Sequence, residues 1–350
     1  MTSLLYSPAI EYISQLGRII LSPFLTGPLL LIATHAPHLA HDALASVITS
    51  LKPATIKLAL QVLLGLGLIR SFNKTLNTMA HNSWRLRASK GWDWPNEIAV
   101  VTGGSSGIGK DIVKRLVSLG IQVAVLDVQD LPKDLQENPR VSFYHCDITS
   151  SESVAEAADA LRRELGHPSI LINNAGITKP TPILKMPESF LRRIFGVNVM
   201  ALWFTTQQFL PRMIQLDKGH VVTVASIASF VALPTGADYS ATKAGALSFH
   251  ESLACELKHF YKSPNVLTTV VHPNFVKTPL VEDFADHLQS SGVRFLTSDQ
   301  IASEVVGQIK SRRGGQLIIP RSASAISGIR GWPTWLQELL RDGIGKGAIR

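Results

Sequence analysis

Residues 98–120 read IAVVTGGSSGIGKDIVKRLVSLG, and this stretch decides the fold. Its first five residues are an apolar run rich in β-branched side chains, which predicts a buried strand. Thr102-Gly103-Gly104-Ser105-Ser106-Gly107-Ile108-Gly109 follows as a glycine loop, and the spacing of KDIVKRLVSLG predicts a helix after it. Glycines let a backbone turn tightly and approach a pyrophosphate with no Cβ atoms in the way. The N-terminus of the next helix offers free N–H groups and the positive end of a dipole to the same anion. Set between a strand and a helix, the loop points to a dinucleotide site. Gly103, Ser105, Ser106, Gly107, Ile108 and Gly109 are its expected contacts.

The same texture continues outward. VAVLD (123–127), SFYHCD (142–147), SILINNAG (169–176), HVVTVAS (220–226), VLTTVVHP (266–273) and GQLIIP (315–320) read as further strands, about seven in all. Helix-length segments separate them, including SVAEAADALRREL (153–165) and YSATKAGALSFHESLACELKHF (239–260). Such alternation implies parallel pairing through right-handed crossovers, an α/β, Rossmann-type doubly wound sheet. Asp127 ends the second strand, about twenty residues beyond the loop, where a carboxylate accepts bonds from the ribose hydroxyls and repels a 2′-phosphate. NAD is therefore expected in preference to NADP, with Lys110 the one nearby cation that a phosphate could use.

Ser226 closes the fifth strand, and Tyr239 and Lys243 lie four apart in Tyr-Ser-Ala-Thr-Lys, on one face if that segment is helical. A free phenol, with a pKa of about 10, is a poor acid–base catalyst at neutral pH. A neighbouring ammonium is expected to lower that value. Ser226 can then bond a substrate oxygen while Tyr239 exchanges the proton and a nicotinamide supplies or accepts the hydride.

These motifs together resemble the short-chain dehydrogenase/reductase family over about residues 96–320. The family's TGxxxGxG loop matches Thr102–Gly109, its NNAG motif Asn173-Asn174-Ala175-Gly176, and its catalytic Asn matches Asn198 in Gly-Val-Asn-Val. Its Ser and YxxxK match Ser226, Tyr239 and Lys243. The resemblance implies that Asn198 orients a water relay to Lys243, and that Lys243 also binds the nicotinamide ribose. It implies further cofactor contacts from Asp147 at the adenine, Asn174, Ala175 and Gly176 along the cleft, and Val276 and Thr278 at the carboxamide. It also implies a homodimer formed through the helices that carry Asn198 and Tyr239. His272-Pro273-Asn274 departs from the family's Pro-Gly; Asn tolerates left-handed backbone better than most residues.

The ends differ from the middle. Residues 1–94 hold 8 Lys/Arg against 3 Asp/Glu, residues 95–309 hold 18 against 21, and residues 310–350 hold 8 against 2. A nucleic-acid enzyme would carry its basic surface on the folded body, so this flanking pattern suits an anionic membrane instead. Two apolar stretches, Ile19–Ala33 and Pro53–Ile69, approach the 17–25 residues of a bilayer span. Spans, a shallow hairpin and buried helices all remain open. Arg70, Lys74, Arg85, Arg87 and Lys90 follow the second stretch and favour a cytosolic body; the expected place is the cytosolic face of the endoplasmic reticulum or a lipid droplet. Trp84, Trp92 and Trp94 suit either an interface or a loop packed on the body. Cys146 and Cys255 have no metal-like spacing, and no metal is expected.

In the tail, Trp332, Trp335, Leu336, Leu339 and Leu340 fall at helical spacing, for a membrane, a substrate mouth or the core. The expected division is 1–94 (membrane-associated region and basic linker), 95–320 (dehydrogenase/reductase) and 321–350 (amphipathic tail). The layout resembles the membrane-associated retinol and 17β-hydroxysteroid dehydrogenase branch. The loops 178–190, 229–238 and 279–297, with Ile177, Phe230, Leu233, Phe275 and Leu280, are expected to shape an apolar pocket. The reading is an alcohol/carbonyl oxidoreductase for a retinoid-, steroid-, fatty- or polyketide/terpenoid-like substrate. The alternatives are a soluble-substrate reductase with an incidental anchor and a catalytically silent nucleotide-binding scaffold.

Overall fold

The computed structural model describes residues 8–36, 52–290 and 292–348. Two compact units emerge, Ser7–Ala80 and the chain from His81 onward. In the first, α1 is Pro8–Ile20, α2 is Pro23–His35 and α3 is Pro53–His81. Pro23 opens α2, where a missing N–H costs nothing. At 13 residues α2 is about 20 Å long, short of the roughly 30 Å hydrocarbon layer. α3, with 29 residues, is the one helix among the described residues long and apolar enough to cross a membrane. It runs well past Ile69 because no Gly or Pro interrupts residues 70–81. Gly67 of α3 meets the turn before α2 so closely that a Cβ would lie 2.4 Å from the Leu21 carbonyl oxygen. Phe24, Leu31, Leu58, Ile69 and Phe72 remain exposed in this unit.

The second unit is built on β1 (Ile98–Thr102), β2 (Gln122–Asp127), β3 (Val141–His145), β4 (Ile170–Asn173), β5 (Gly219–Val224), β6 (Val266–Pro273), β7 (Val276–Lys277), β8 (Leu296–Thr297) and β9 (Gly315–Ile319). Seven of these form one sheet in the order β3-β2-β1-β4-β5-β6-β9, and every pair is parallel. The helices are α4 (Gly107–Val117), α5 (Lys133–Gln136), α6 (Ser151–Glu164), α7 (Glu188–Phe195), α8 (Ala201–Gln215), α9 (Ala237–His259), α10 (Ala285–Ser290), α11 (Ser298–Lys310) and α12 (Thr334–Ala348). Successive strand residues point to opposite faces, so the buried runs feed two cores. Val101 and Ile172 pack with Ile112 and Leu116 of α4 and Val305 of α11. Val100, Leu171 and Val221 pack on the other face with Leu161 of α6, Phe209 of α8 and Leu253 of α9. Strand order reverses between β1 and β4, the switch point where doubly wound sheets open a crevice.

One feature was not expected, and one open choice is decided. β7 and β8 pair as a separate two-stranded ribbon, each too short to show a period. Trp92 and Trp94, read as suited to a membrane interface or a packed loop, stack at 5.5 Å and pack against the first core. Lys218 lies 5.2 Å over Trp92 and bonds buried Glu97 at 2.6 Å. The lead-in is therefore fastened to the catalytic unit. Asn82 and Gly314 exchange bonds of 2.9 and 3.2 Å, and Ser89 N donates to the Arg312 carbonyl at 3.0 Å.

Candidate active site

A cavity of about 800 Å³ opens at the carboxyl ends of the strands. One end is the glycine loop. Gly103 sits at φ +65°, and a Cβ there would come within 2.9 Å of the Ala175 backbone. At Gly109 a Cβ would lie 2.0 Å from the Gly103 carbonyl oxygen, so neither position admits a side chain. Thr102 Oγ1 accepts from the N–H groups of Asn174 (3.0 Å) and Ala175 (3.1 Å). The Asn174 amide donates to the Thr102 and Gly103 carbonyls, both at 3.0 Å. The loop and the NNAG turn thus fix each other.

Asp127 faces the cavity from the end of β2. Its carboxylate also accepts from Ser105 N and Gln129 N, each at 3.0 Å, and Ser105 Oγ donates to the Gln129 carbonyl at 2.8 Å. Asp147 accepts from the backbone and hydroxyl of Thr149, at 2.9 and 2.8 Å. Lys110 pairs with Asp134 at 3.3 Å, and so does Lys114, at 2.6 Å.

The other end carries Ser226, Tyr239 and Lys243. Ser226 Oγ accepts from Ala228 N at 3.1 Å and donates to the Pro273 carbonyl at 3.5 Å. Lys243, buried, donates to the Val224 carbonyl at 2.9 Å and stands 5.7 Å over the Tyr239 ring. Burial pushes Lys243 down to about 8. Tyr239 departs from the expected direction. Burial raises its phenol, the Ser226 hydroxyl works the other way, and the ammonium, aimed at a carbonyl, does not offset the burial. The phenol of Tyr239 is therefore held neutral at neutral pH.

Most of the expected residues meet at this cavity: Gly103, Ser106, Gly107, Ile108, Asp127, Asp147, Asn174, Ala175, Gly176, Ser226, Tyr239, Lys243, Val276 and Thr278 all line it. Ser105, Gly109 and Asn198 stand behind the wall. Asn198, in a single π turn at Gly196–Met200, accepts from Ile177 N at 2.9 Å. Its amide donates to the Ile177 carbonyl and to Thr242 Oγ1, both at 3.0 Å. Its Oδ1 and Lys243 Nζ approach the same point, 3.4 and 3.5 Å from where a Cβ on Gly176 would sit.

Asn274 is not among the residues with positive φ, so the turn needs no glycine there. Phe230 does not line the pocket; its ring lies 4.5 Å from His272. The tail stripe splits: Leu340 faces the cavity, joined by Ile344, while Trp335 and Leu339 are exposed. The cradle fits a dinucleotide, with two glycines a side chain would obstruct, a helix N-terminus beside them and a carboxylate at the ribose position of the fold.

The model for the short chain dehydrogenase family matches residues 97–289. This chain belongs to that family. The oxidoreductase is 40% identical over 180 residues to dehydrogenase RED2 of Cochliobolus heterostrophus, covering 51% of this chain and 68% of that one. It is 36% identical over 196 residues to epidermal retinol dehydrogenase 2 of Homo sapiens, covering 53% and 62%. The match therefore spans about two thirds of these relatives. A short chain dehydrogenase/reductase from Burkholderia phymatum, solved with NAD, superposes with a TM-score of 0.63 over 71% of this chain and 97% of that one, at 23% identity. That likeness shows the shared fold.

Sequence reading missed several contributors to this dehydrogenase's site. Thr102 and Thr242 serve as hidden tethers, and Arg193, Cys146, Ile326 and Ile344 line the cavity. The threonines sit inside readable motifs, and Cys146 directly precedes the expected Asp147. Arg193, Ile326 and Ile344 reach the cavity from helices and turns outside those motifs.

Proposed function

We propose that the protein interconverts an alcohol and a carbonyl on a lipophilic substrate, using NAD(H). What carries this reading is one cavity with the glycine loop and Asp127 at one end and Ser226, Tyr239 and Lys243 at the other. Between and beyond them the lining is apolar, with Leu233, Phe275, Leu280, Phe284, Leu288 and Leu340. The retinol named for the human relative belongs to the same chemical class.

The bound nicotinamide supplies or accepts the hydride. Gly103, Ser106, Gly107 and Ile108 would hold the pyrophosphate, Asp127 the ribose and Asp147 the adenine end, with Asn174, Ala175 and Gly176 along the cleft and Val276 and Thr278 at the carboxamide. Ser226 bonds the substrate oxygen, and Tyr239 delivers its proton to that oxygen in the reductive direction. Lys243, beside the Tyr239 ring, supports that transfer and binds the nicotinamide ribose. Asn198 positions Ile177 and Thr242 around Lys243. The preference for NAD rests on Asp127 and on Lys110, whose charge is already paired with Asp134.

The exposed apolar surface of α2 and α3 supports membrane association, and the basic residues in and after α3 support a body on the cytosolic side; the place proposed is the endoplasmic reticulum or a lipid droplet. Residues 1–94 are the membrane-associated region and linker, 95–320 the dehydrogenase and 321–350 the tail. Leu191, Phe195, Met200 and Trp203, exposed around α7 and α8, suit a homodimer face.

The test is turnover by the detergent-solubilised full chain, with NADH and NADPH, on retinal, long-chain aldehydes, steroid ketones and short soluble carbonyls. Retinal or another long apolar carbonyl should turn over best with NADH, and Tyr239→Phe should abolish turnover while nucleotide still binds. A strong NADPH preference would remove the cofactor assignment. Turnover confined to short soluble carbonyls would remove the substrate class.

A further inference from the structure

His272 is fully buried, and neither of its ring nitrogens is idle. Nδ1 lies 3.0 Å from the carbonyl oxygen of Ser226, and Nε2 lies 3.2 Å from the amide nitrogen of Gln316. An amide nitrogen can only donate, so Nε2 must accept. The proton then sits on Nδ1, which donates to Ser226. The ring is also held from the side by Phe230, at 4.5 Å and 40°.

The place of this bond in the sheet gives it meaning. The backbone ties of β5 and β6 end where Ala225 N donates to the Val271 carbonyl at 2.8 Å. Ser226 comes one residue later, at the start of the short 3-10 turn Ile227–Ser229. Its carbonyl accepts two local bonds, from Ser229 N at 3.0 Å and Ser229 Oγ at 2.6 Å. Those bonds shape the turn but do not fix it to the neighbouring strand. The bond from His272 does, one step past the end of the ladder. Ser226 Oγ meanwhile donates to the Pro273 carbonyl, the residue after His272, so the hydroxyl takes its bearing from the same piece of β6.

We propose that His272 is a positioning residue for Ser226: its Nδ1–H ties the end of β5 to β6, and Gln316 fixes the tautomer that makes this bond. The role rests on the assignment of Ser226 to the reaction. A reacting group displaced by about 1 Å loses up to about 100-fold in rate, and the pyrophosphate and adenosine contacts, which hold the nucleotide at the other end of the cavity, are spared.

The test compares His272→Leu, which keeps bulk and removes the donor, with His272→Asn, whose side-chain amide can donate from near the Nδ1 position. Turnover of retinal and decanal with NADH, nucleotide affinity and Tm are measured on the full chain in detergent. His272→Leu should lose about 10- to 100-fold in kcat with nucleotide affinity unchanged, and His272→Asn should recover most of it. Equal losses in the two variants, or wild-type kcat in His272→Leu, would overturn the proposal. Ser226→Ala in the same assay separates the two claims. Full turnover there removes both; loss there beside an active His272→Leu removes only the role of His272. Should His272→Leu not fold, ¹⁵N spectra of histidine-labelled wild-type protein decide: the proposal requires a protonated Nδ1 on His272, and a protonated Nε2 overturns it.

Discussion

Lys243 shows how one residue sets stability against chemistry. Its folded pKa is depressed by burial to about 8, so the stability linked to it is complete above its unfolded value and lost as pH falls through about 8. At neutral pH the folded protein therefore carries a buried charge at a cost of about 3 kcal/mol. Lys243→Met removes that charge and loses one bond to the Val224 carbonyl, worth about 1 kcal/mol. Its expected outcome is an unchanged or higher Tm together with lost turnover; a Tm several degrees lower would show that the ammonium stabilises the fold. Thr102 is the opposite case. Thr102→Val strips the acceptor from two N–H groups of the NNAG turn, and about 1–3 kcal/mol of stability should go with it, read by urea titration. A loss within a few tenths would mean that the turn is held by Asn174 alone.

Among the elements, α12 has a divided role. Leu340 and Ile344 reach the cavity and pack beside Ile329, Ile227 and Phe230. Substituting Leu340→Ala should lengthen the apolar pocket and shift preference toward longer carbonyls, seen as a KM that falls along an n-alkanal series relative to wild type. A series with an unchanged profile would take α12 out of the substrate wall. The strands β1, β2, β4, β5 and β6 were readable because each is buried on both faces and so forms a short apolar run between helix-length segments. β7 and β8 escaped because two residues carry no period, although they bring Thr278 against Gly107 and close the loop over the cleft. Trp92 and Trp94 were ambiguous because an indole suits an interface and a core equally; only Lys218 and Glu97 beside them decide it.

At the scale of the whole molecule, three histidines among the described residues have no room for charge. Burial holds His220 and His250 down at about 3 and His272 at about 4. Each folded pKa lies below the unfolded value, so the unfolded chain binds more protons as pH falls below about 6.5. Their contribution is complete above that pH and is lost as pH falls toward 4 and then 3, by up to about 1.4 kcal/mol per pH unit for each. The urea midpoint should therefore drop between pH 7 and pH 5; a flat midpoint would mean that these rings open to water before global unfolding. The sequence by itself determined the alternation of strand and helix, the glycine loop and the Ser226, Tyr239, Lys243 pattern, since each depends on local spacing and backbone sterics. Tertiary structure alone decided that Lys243 faces a carbonyl and leaves the phenol raised, that Asn198 works through Ile177 and Thr242, and that His272 reaches Ser226. Those outcomes turn on burial and on hydrogen bonds between residues 19 to 46 apart, and no local period encodes them.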